Sequence, residues 1–338
     1  MVVWHICPNE MKMTLHFKSL MSRPTVRILF SILIVCGGIL WLAKPQCKKQ
    51  WQLENDEVVI KYGKVMLEYG SAQMQVNLPN QDVVNIRYVI PHDPLSGKVL
   101  PSASTILFWA PYLGEAQFIQ DGGLHGWARK YAKQFGWTVF TLVITDDKHV
   151  KEPPPSRYYC AESGWFEVVF AVKAALEKKY GLSNKKLIIC GESAGGNMAE
   201  RMVATYPEEI AAATWSGGTS YTDLPKSDVA TFFFSNWGCP GAKATQSLAK
   251  DAHAHGISLL WTEIPPNSGA RLNHHSPSQL TAQLKQTFLQ GVVALANPVT
   301  GAIPPPEEWP CRYAMPDGSL IYLPSAEFAR LWKKLPHA

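Results

Sequence analysis

The sequence predicts an α/β fold: a mostly parallel central sheet with helices on both faces, entered by antiparallel strands and followed by a C-terminal appendage. Two observations carry this reading. Residues 57–90 break into short β-type runs (EVVIKY, KVMLEY, AQMQV and NIRYVI) punctuated by Gly63, Gly70 and Asn80, the pattern of antiparallel entry strands. From Thr105 onward, apolar runs alternate with segments of helical period, the pattern of parallel strands joined by helical crossovers.

The elements follow in order. Residues 105–109 (TILFW) read as a buried strand, and Leu124, Trp127, Ala128, Tyr131 and Phe135 then recur at helical spacing until Gly136. Residues 137–144 (WTVFTLVI) form the next strand, and a charged, proline-rich loop leads to a helix over 162–180 that stops at Gly181. A strand at 186–190 (KLIIC), a helix at 195–206 and strands at 210–215 and 229–234 come next. Then follow a helix over 245–255, ended by Gly256, and a strand at 258–264. The last helix of the sheet starts at Ser276, a good N-cap, with Pro277 at its first position; Leu280, Leu284, Phe288 and Val292 give it one apolar face. Beyond it, residues 297–338 read as a loop, a hairpin about the Pro316-Asp317-Gly318 turn and a short helix capped by Ser325. This segment is expected to cover a sheet edge or the core. No internal repeat is present.

At 338 residues and 46% hydrophobic, the chain can bury one large core. Its formal charge of +5 is concentrated at the start, where residues 1–50 hold seven of the 32 basic side chains and one of the 27 acids. The remainder is near neutral, which argues against a nucleic-acid-binding surface. Arg23 and Arg27 precede an apolar run over 28–43 that lacks amphipathic period, and Lys44, Lys48 and Lys49 follow it. A basic flank and an apolar stretch have the form of an export signal or an uncleaved anchor. The organisation expected is therefore a leader (1–50), a main domain (51–296) and the appendage (297–338). The protein is expected to be exported or membrane-anchored on the extracytoplasmic side, touching the membrane through the leader where that is not cleaved. None of the seven cysteines forms a CxxC pair. In an oxidising compartment Cys160, Cys239 and Cys311 are the candidates for a disulfide.

The chemistry-bearing motif is Gly191-Glu192-Ser193-Ala194-Gly195-Gly196-Asn197. A G-x-S-x-G pattern arises by composition in roughly a tenth of chains of this size, so its setting carries the argument. It follows the strand KLIIC directly and opens a helix. A turn this tight strains its central residue and needs small neighbours, which Gly191 and Gly195 supply. It lifts the serine hydroxyl above the sheet edge, where the helix N-terminus offers free N–H groups to developing negative charge.

On this motif the chain resembles the α/β-hydrolases. GESAGGN resembles the elbow of the hormone-sensitive-lipase-like esterases. The stretch from Gly195 to Gly218, with YPEEIAAATWSGG, is similar to polyester depolymerase and feruloyl esterase-type enzymes. The resemblance spans residues 105–295 and implies the α/β-hydrolase fold with Ser193 as nucleophile. It also implies a histidine base in the loop before the last helix, where His274 and His275 stand; His275 is preferred because it adjoins Ser276. The acid of such a triad usually follows the strand VATFFF. Here that loop reads SNWGCPG, without a carboxylate, so Asp223 or the weaker Asp228 would substitute, or Asn236 would orient the histidine without charge. The oxyanion donors implied are the N–H of Ala194 and one from the loop after residue 109. In that loop Pro111 has no N–H, so Tyr112, or Leu113 beside it, must serve.

The function expected is a carboxylic ester hydrolase working through an acyl-enzyme on Ser193, with a small-molecule or polymer ester as substrate and no metal or organic cofactor. A binding protein with a degenerate site, and peptidase or acyltransferase chemistry at the same serine, are the alternatives. Trp109, Tyr112, Trp165, Trp215, Trp237 and Trp261 are candidates either for an aromatic acyl pocket or for the core. His253 and His255 (AHAHG) lack acidic or thiol neighbours and read as helix-end and surface residues rather than a metal pair.

Overall fold

The computed structural model describes residues 51–53, 58–78, 81–111, 127–144, 157–216, 229–236, 259–264, 279–315, 318 and 320–335. The chain divides into two units, Met1–Gln46 and Cys47–Ala338, and every described residue belongs to the second. The apolar run at 28–43 therefore lies outside the described residues. Among the described residues no helix is long and apolar enough to cross a membrane.

The sheet begins with strands β1 (Trp51–Leu53), β2 (Val58–Tyr62), β3 (Val65–Leu78) and β4 (Gln81–His92), all paired antiparallel. Strands β5 (Ile106–Ala110), β6 (Thr138–Val143), β7 (Leu187–Glu192), β8 (Ile210–Ser216), β9 (Ala230–Asn236) and β10 (Leu259–Ile264) follow, mutually parallel. The spatial order is β1-β3-β4-β6-β5-β7-β8-β9-β10, with β2 also on β3. From β5 the chain therefore goes to β6 on one side and afterwards to β7 on the other. The strand order reverses between β5 and β7, and crevices for ligands open at the carboxyl ends of strands flanking such a reversal.

Helices α1 (Trp127–Phe135), α2 (Trp165–Tyr180), α3 (Ala194–Thr205), α4 (Gln279–Leu295) and α5 (Ala326–Trp332) complete the frame. Side chains alternate across each strand, so the sheet separates two cores. Phe108, Phe140 and Ile189 pack with Val168 and Val172 of α2 and Met198 and Met202 of α3. On the other face Leu107, Val139, Ile188 and Phe232 pack with Tyr131 of α1, Leu284 and Phe288 of α4, and Phe328 of α5. This is the α/β-hydrolase fold, with helices on both faces of a mostly parallel sheet and antiparallel strands leading in.

One expectation changes and two open choices narrow. Gly70 does not end a strand: β3 runs through it, and Tyr88, its partner in β4, lies over the space a side chain would take. A Cβ at residue 70 would sit 2.3 Å from the Tyr88 ring. Of the tryptophans read as either acyl-pocket or core residues, Trp165 and Trp215 are 1% exposed and belong to the core, as does Trp109. Among the disulfide candidates, Cys160 and Cys311 are free thiols packed on opposite faces of the sheet, and Cys239 lies outside the described residues.

The appendage covers the core. Strands β11 (Cys311–Ala314) and β12 (Leu320–Leu323) pair as a separate hairpin. Ser325 caps α5 by accepting from the Phe328 N–H at 3.1 Å. Phe328 and Trp332 then stand 5.3 and 6.2 Å from Phe232 of β9, ring centre to ring centre.

A polar network joins α2 to the antiparallel strands at the end of the sheet remote from the β7–α3 turn. The Tyr180 hydroxyl donates to Glu68, whose other oxygen lies 2.8 Å from His92 Nε2. Lys179 Nζ donates to the Tyr88 hydroxyl at 2.9 Å. Burial, with the Glu68 carboxylate as hydrogen-bond acceptor, holds the Tyr180 hydroxyl far above the ordinary phenol range.

Candidate active site

The five residues Leu187–Gly191 of β7 are buried, and the chain then reverses into α3 within one residue. That residue is Ser193, with φ 52° and ψ −119°; among the described residues it is the only non-glycine at positive φ. Holding an L-residue there costs on the order of 1–3 kcal/mol and persists only where the surroundings enforce it. Here they do. The Ser193 N–H donates to the Ser216 carbonyl at the end of β8 (2.8 Å), and the Ser193 carbonyl accepts the first bond of α3 from Asn197 N–H (3.1 Å).

The two glycines of the motif allow the close approach. A Cβ on Gly191 would lie 2.3 Å from the Gly195 carbonyl oxygen, and one on Gly195 would lie 2.3 Å from the Ala110 oxygen at the end of β5. The turn thus sits at the carboxyl end of β7, against the end of β5, where the strand order reverses. Ser193 and Ala194 are partly exposed there. The N–H groups of the first turn of α3, Ala194 leading, have no intrahelical acceptor and face the same side, where the helix dipole favours negative charge.

The side of the site toward β5 is anchored by a residue that sequence patterning passes over. The Tyr158 hydroxyl, fully buried, donates to the Pro111 carbonyl at 2.8 Å and so fixes where the loop leaves β5. Tyr112, the expected second oxyanion donor, lies beyond that point in 112–126, outside the described residues. His274, His275, Asp223 and Asp228 also lie outside the described residues. Asn236 ends β9, at the same edge of the sheet as Ser193.

Beneath the turn stands a buried charge pair. Lys285, on α4, places Nζ 2.7 Å from Glu192 Oε1 and 3.0 Å from Ser216 Oγ. The side chains are 4% and 17% exposed for Lys285 and Glu192. Tyr131 of α1 belongs to the same surroundings: burial above all, with Cys190 and Glu192 adding negative charge, pushes its hydroxyl well above the usual range. Lys285 and Ser216 were not among the expected site residues. One signal was available: Lys285 shares a stripe of its helix with Leu289 and Val292, where a solvated lysine does not belong.

Among the described residues no three His, Cys, Asp or Glu side chains gather as a metal-ligand set. What the arrangement offers is a hydroxyl held out of a sheet edge, unpartnered backbone N–H groups beside it and a fixed charge pair behind it. That combination suits attack on a carbonyl carbon with stabilisation of the resulting oxyanion.

No family model and no curated protein matches the chain. Solved structures do. A thermostable esterase superposes with a TM-score of 0.42 at 16% identity, over 62% of this chain, which spans 55% of that one. Acetyl xylan esterase 1 from Thermoanaerobacterium sp. JW/SL YS485 gives 0.45 at 11% identity, covering 72% of this chain and 87% of the other. The fluorophosphonate-binding serine hydrolase F of Staphylococcus aureus gives 0.46 at 9% identity, covering 66% and 97%. Superpositions this loose set these proteins beside the chain without deciding its chemistry.

Proposed function

We propose that the protein is a serine hydrolase of the carboxylic ester kind. The observation that carries this reading is the strained backbone of Ser193 at the carboxyl end of β7, where the strand order reverses. A protein that needed only a turn there would relieve the strain with glycine. Strain kept at a partly exposed serine above free N–H groups is a cost that chemistry explains.

In this reading His275, or His274 beside it, takes the Ser193 proton as Oγ attacks the acyl carbon. The carbonyl oxygen, now an oxyanion, accepts from the N–H groups of Ala194 and Tyr112. The histidine returns the proton to the departing alcohol, leaving an acyl-serine, and water completes the cycle by the same route in reverse roles. The substrate is a small-molecule or polymer ester, and the leader at 1–50 serves export or anchoring.

A fluorophosphonate probe and a panel of p-nitrophenyl esters test this together. The wild type should be labelled and should hydrolyse the esters, and Ser193→Ala should lose both. A folded wild type that is neither labelled nor active overturns the reading. The stretch 235–241 (SNWGCPG), which carries no carboxylate, favours one second reading: a binding protein on a hydrolase frame. A silent wild type would support it. Turnover of peptides in preference to esters would move the chemistry to peptidase.

A further inference from the structure

We infer that Lys285 is a positioning residue for the nucleophile, fixing the Ser193 turn through Glu192 and Ser216 and neutralising the carboxylate next to it. The inference rests on the hydrolase reading and extends it to a helix that carries no part of the motif.

Three observations converge. The residue just before Ser193 and the residue whose carbonyl accepts the Ser193 N–H are both held by one ammonium group, at 2.7 and 3.0 Å. The ammonium is buried, and so is most of the carboxylate it faces, so each is expensive without the other. The lysine comes from α4, which begins at Gln279, four residues after His275 in the sequence. One contact therefore ties the nucleophile turn to the helix that follows the candidate base in the sequence.

The electrostatic consequence follows from position. When Ser193 attacks, negative charge grows on the substrate oxygen close to Glu192. A bare carboxylate in a partly buried setting would repel that charge, while a carboxylate closed into a pair with Lys285 presents little net field. Lys285 thus acts at a distance from the reacting atoms. It keeps the strained backbone in place and cancels a neighbouring charge that opposes the transition state.

The test compares fluorophosphonate labelling rates, p-nitrophenyl ester kinetics and amide hydrogen exchange in Lys285→Met, Lys285→Arg and Glu192→Gln, with Lys173→Met as control. Lys173 is similarly buried and lies 2.7 Å from Glu177 on α2, so the control removes a comparable pair elsewhere in the fold. Lys285→Met should slow labelling and kcat by about 10- to 100-fold, the scale of a small misplacement of a reacting group, with KM little changed. The Ser193 amide should exchange faster. Lys285→Arg should keep most of the rate, and combining Lys285→Met with Glu192→Gln should recover part of it. Lys173→Met should lower thermal stability without slowing labelling. If Lys285→Met labels at the wild-type rate and merely melts earlier, as the control does, Lys285 is structural and the inference fails. Should Lys285→Met not fold, Lys285→Gln carries the same comparison, because it removes the ammonium while keeping a polar group there, and an unchanged rate in it overturns the inference. A wild type that does not label ends the hydrolase reading instead. Exchange at Ser193 then decides the positioning claim, and protection equal to wild type in Lys285→Met refutes it.

Discussion

Gly195 lies so close beneath the Ala110 carbonyl that a methyl group on it would stand 2.3 Å from the oxygen. Both atoms involved are backbone and both sit in regular elements, so neither can turn aside. Gly195→Ala should therefore destabilise by about 3 kcal/mol, the upper range for overfilling a packed site. It should also slow fluorophosphonate labelling at least about 100-fold by pushing α3 away from β5. Denaturant unfolding and labelling kinetics on the same sample check both effects.

Replacing Ser193 with glycine separates fold from chemistry. Glycine adopts φ 52° without penalty, so Ser193→Gly should gain about 1 kcal/mol of stability while losing all labelling. Parallel unfolding curves for Ser193→Gly and Ser193→Ala isolate the backbone contribution, since alanine removes the hydroxyl and keeps the strain. Equal stabilities for the two variants would contradict it.

The last helix should be indispensable. Trp332 is 1% exposed and packs on Phe328 and Phe232. Trp332→Ala should cost about 3–5 kcal/mol, as for other large aromatic truncations. A thermal melt that stayed within 2 °C or so of the wild type would show that α5 is dispensable to the core.

One surface turn should titrate visibly. The Asp93 carboxylate accepts from the backbone N–H of Ser96 (2.7 Å) and Leu95 (2.8 Å), which lowers its pKa from the ordinary value of 3.8. A group whose folded pKa is depressed stabilises above its unfolded pKa, and that contribution is lost as pH falls through the folded value. Asp93→Asn should accordingly melt earlier than the wild type at pH 7, and the gap should close as pH falls below about 4. A gap that persisted at low pH would assign the effect to something other than the carboxylate charge.

Much of this frame was legible in the chain, for identifiable reasons. The turn at Ser193 was readable because a strand, two glycines and a helix start meet within a few residues, and each restricts the backbone independently. The strands β5 to β10 and the helix α2 followed from hydrophobic period alone. What resisted was whatever depends on neighbours distant in sequence. Gly70 reads as a break because nothing local announces the Tyr88 ring that fills its place. Lys285 stands out in the sequence only as a charge on an apolar stripe, and its partners Glu192 and Ser216 lie 93 and 69 residues away along the chain. Tyr158 sits in a turn without period, and its bond to Pro111 spans 47 residues of chain.

The notch at Gly70 bears on how the molecule reaches its fold. The β3–β4 hairpin is long, and sliding one arm past the other by two residues would keep every side chain on its proper face. Alternation of apolar and polar positions is blind to such an error. The bulky ring of Tyr88 is not, because the neighbours of Gly70 on the same face of β3 are Glu68 and Ala72, and each carries a side chain. A missing methyl group in one strand thus fixes the alignment of the other.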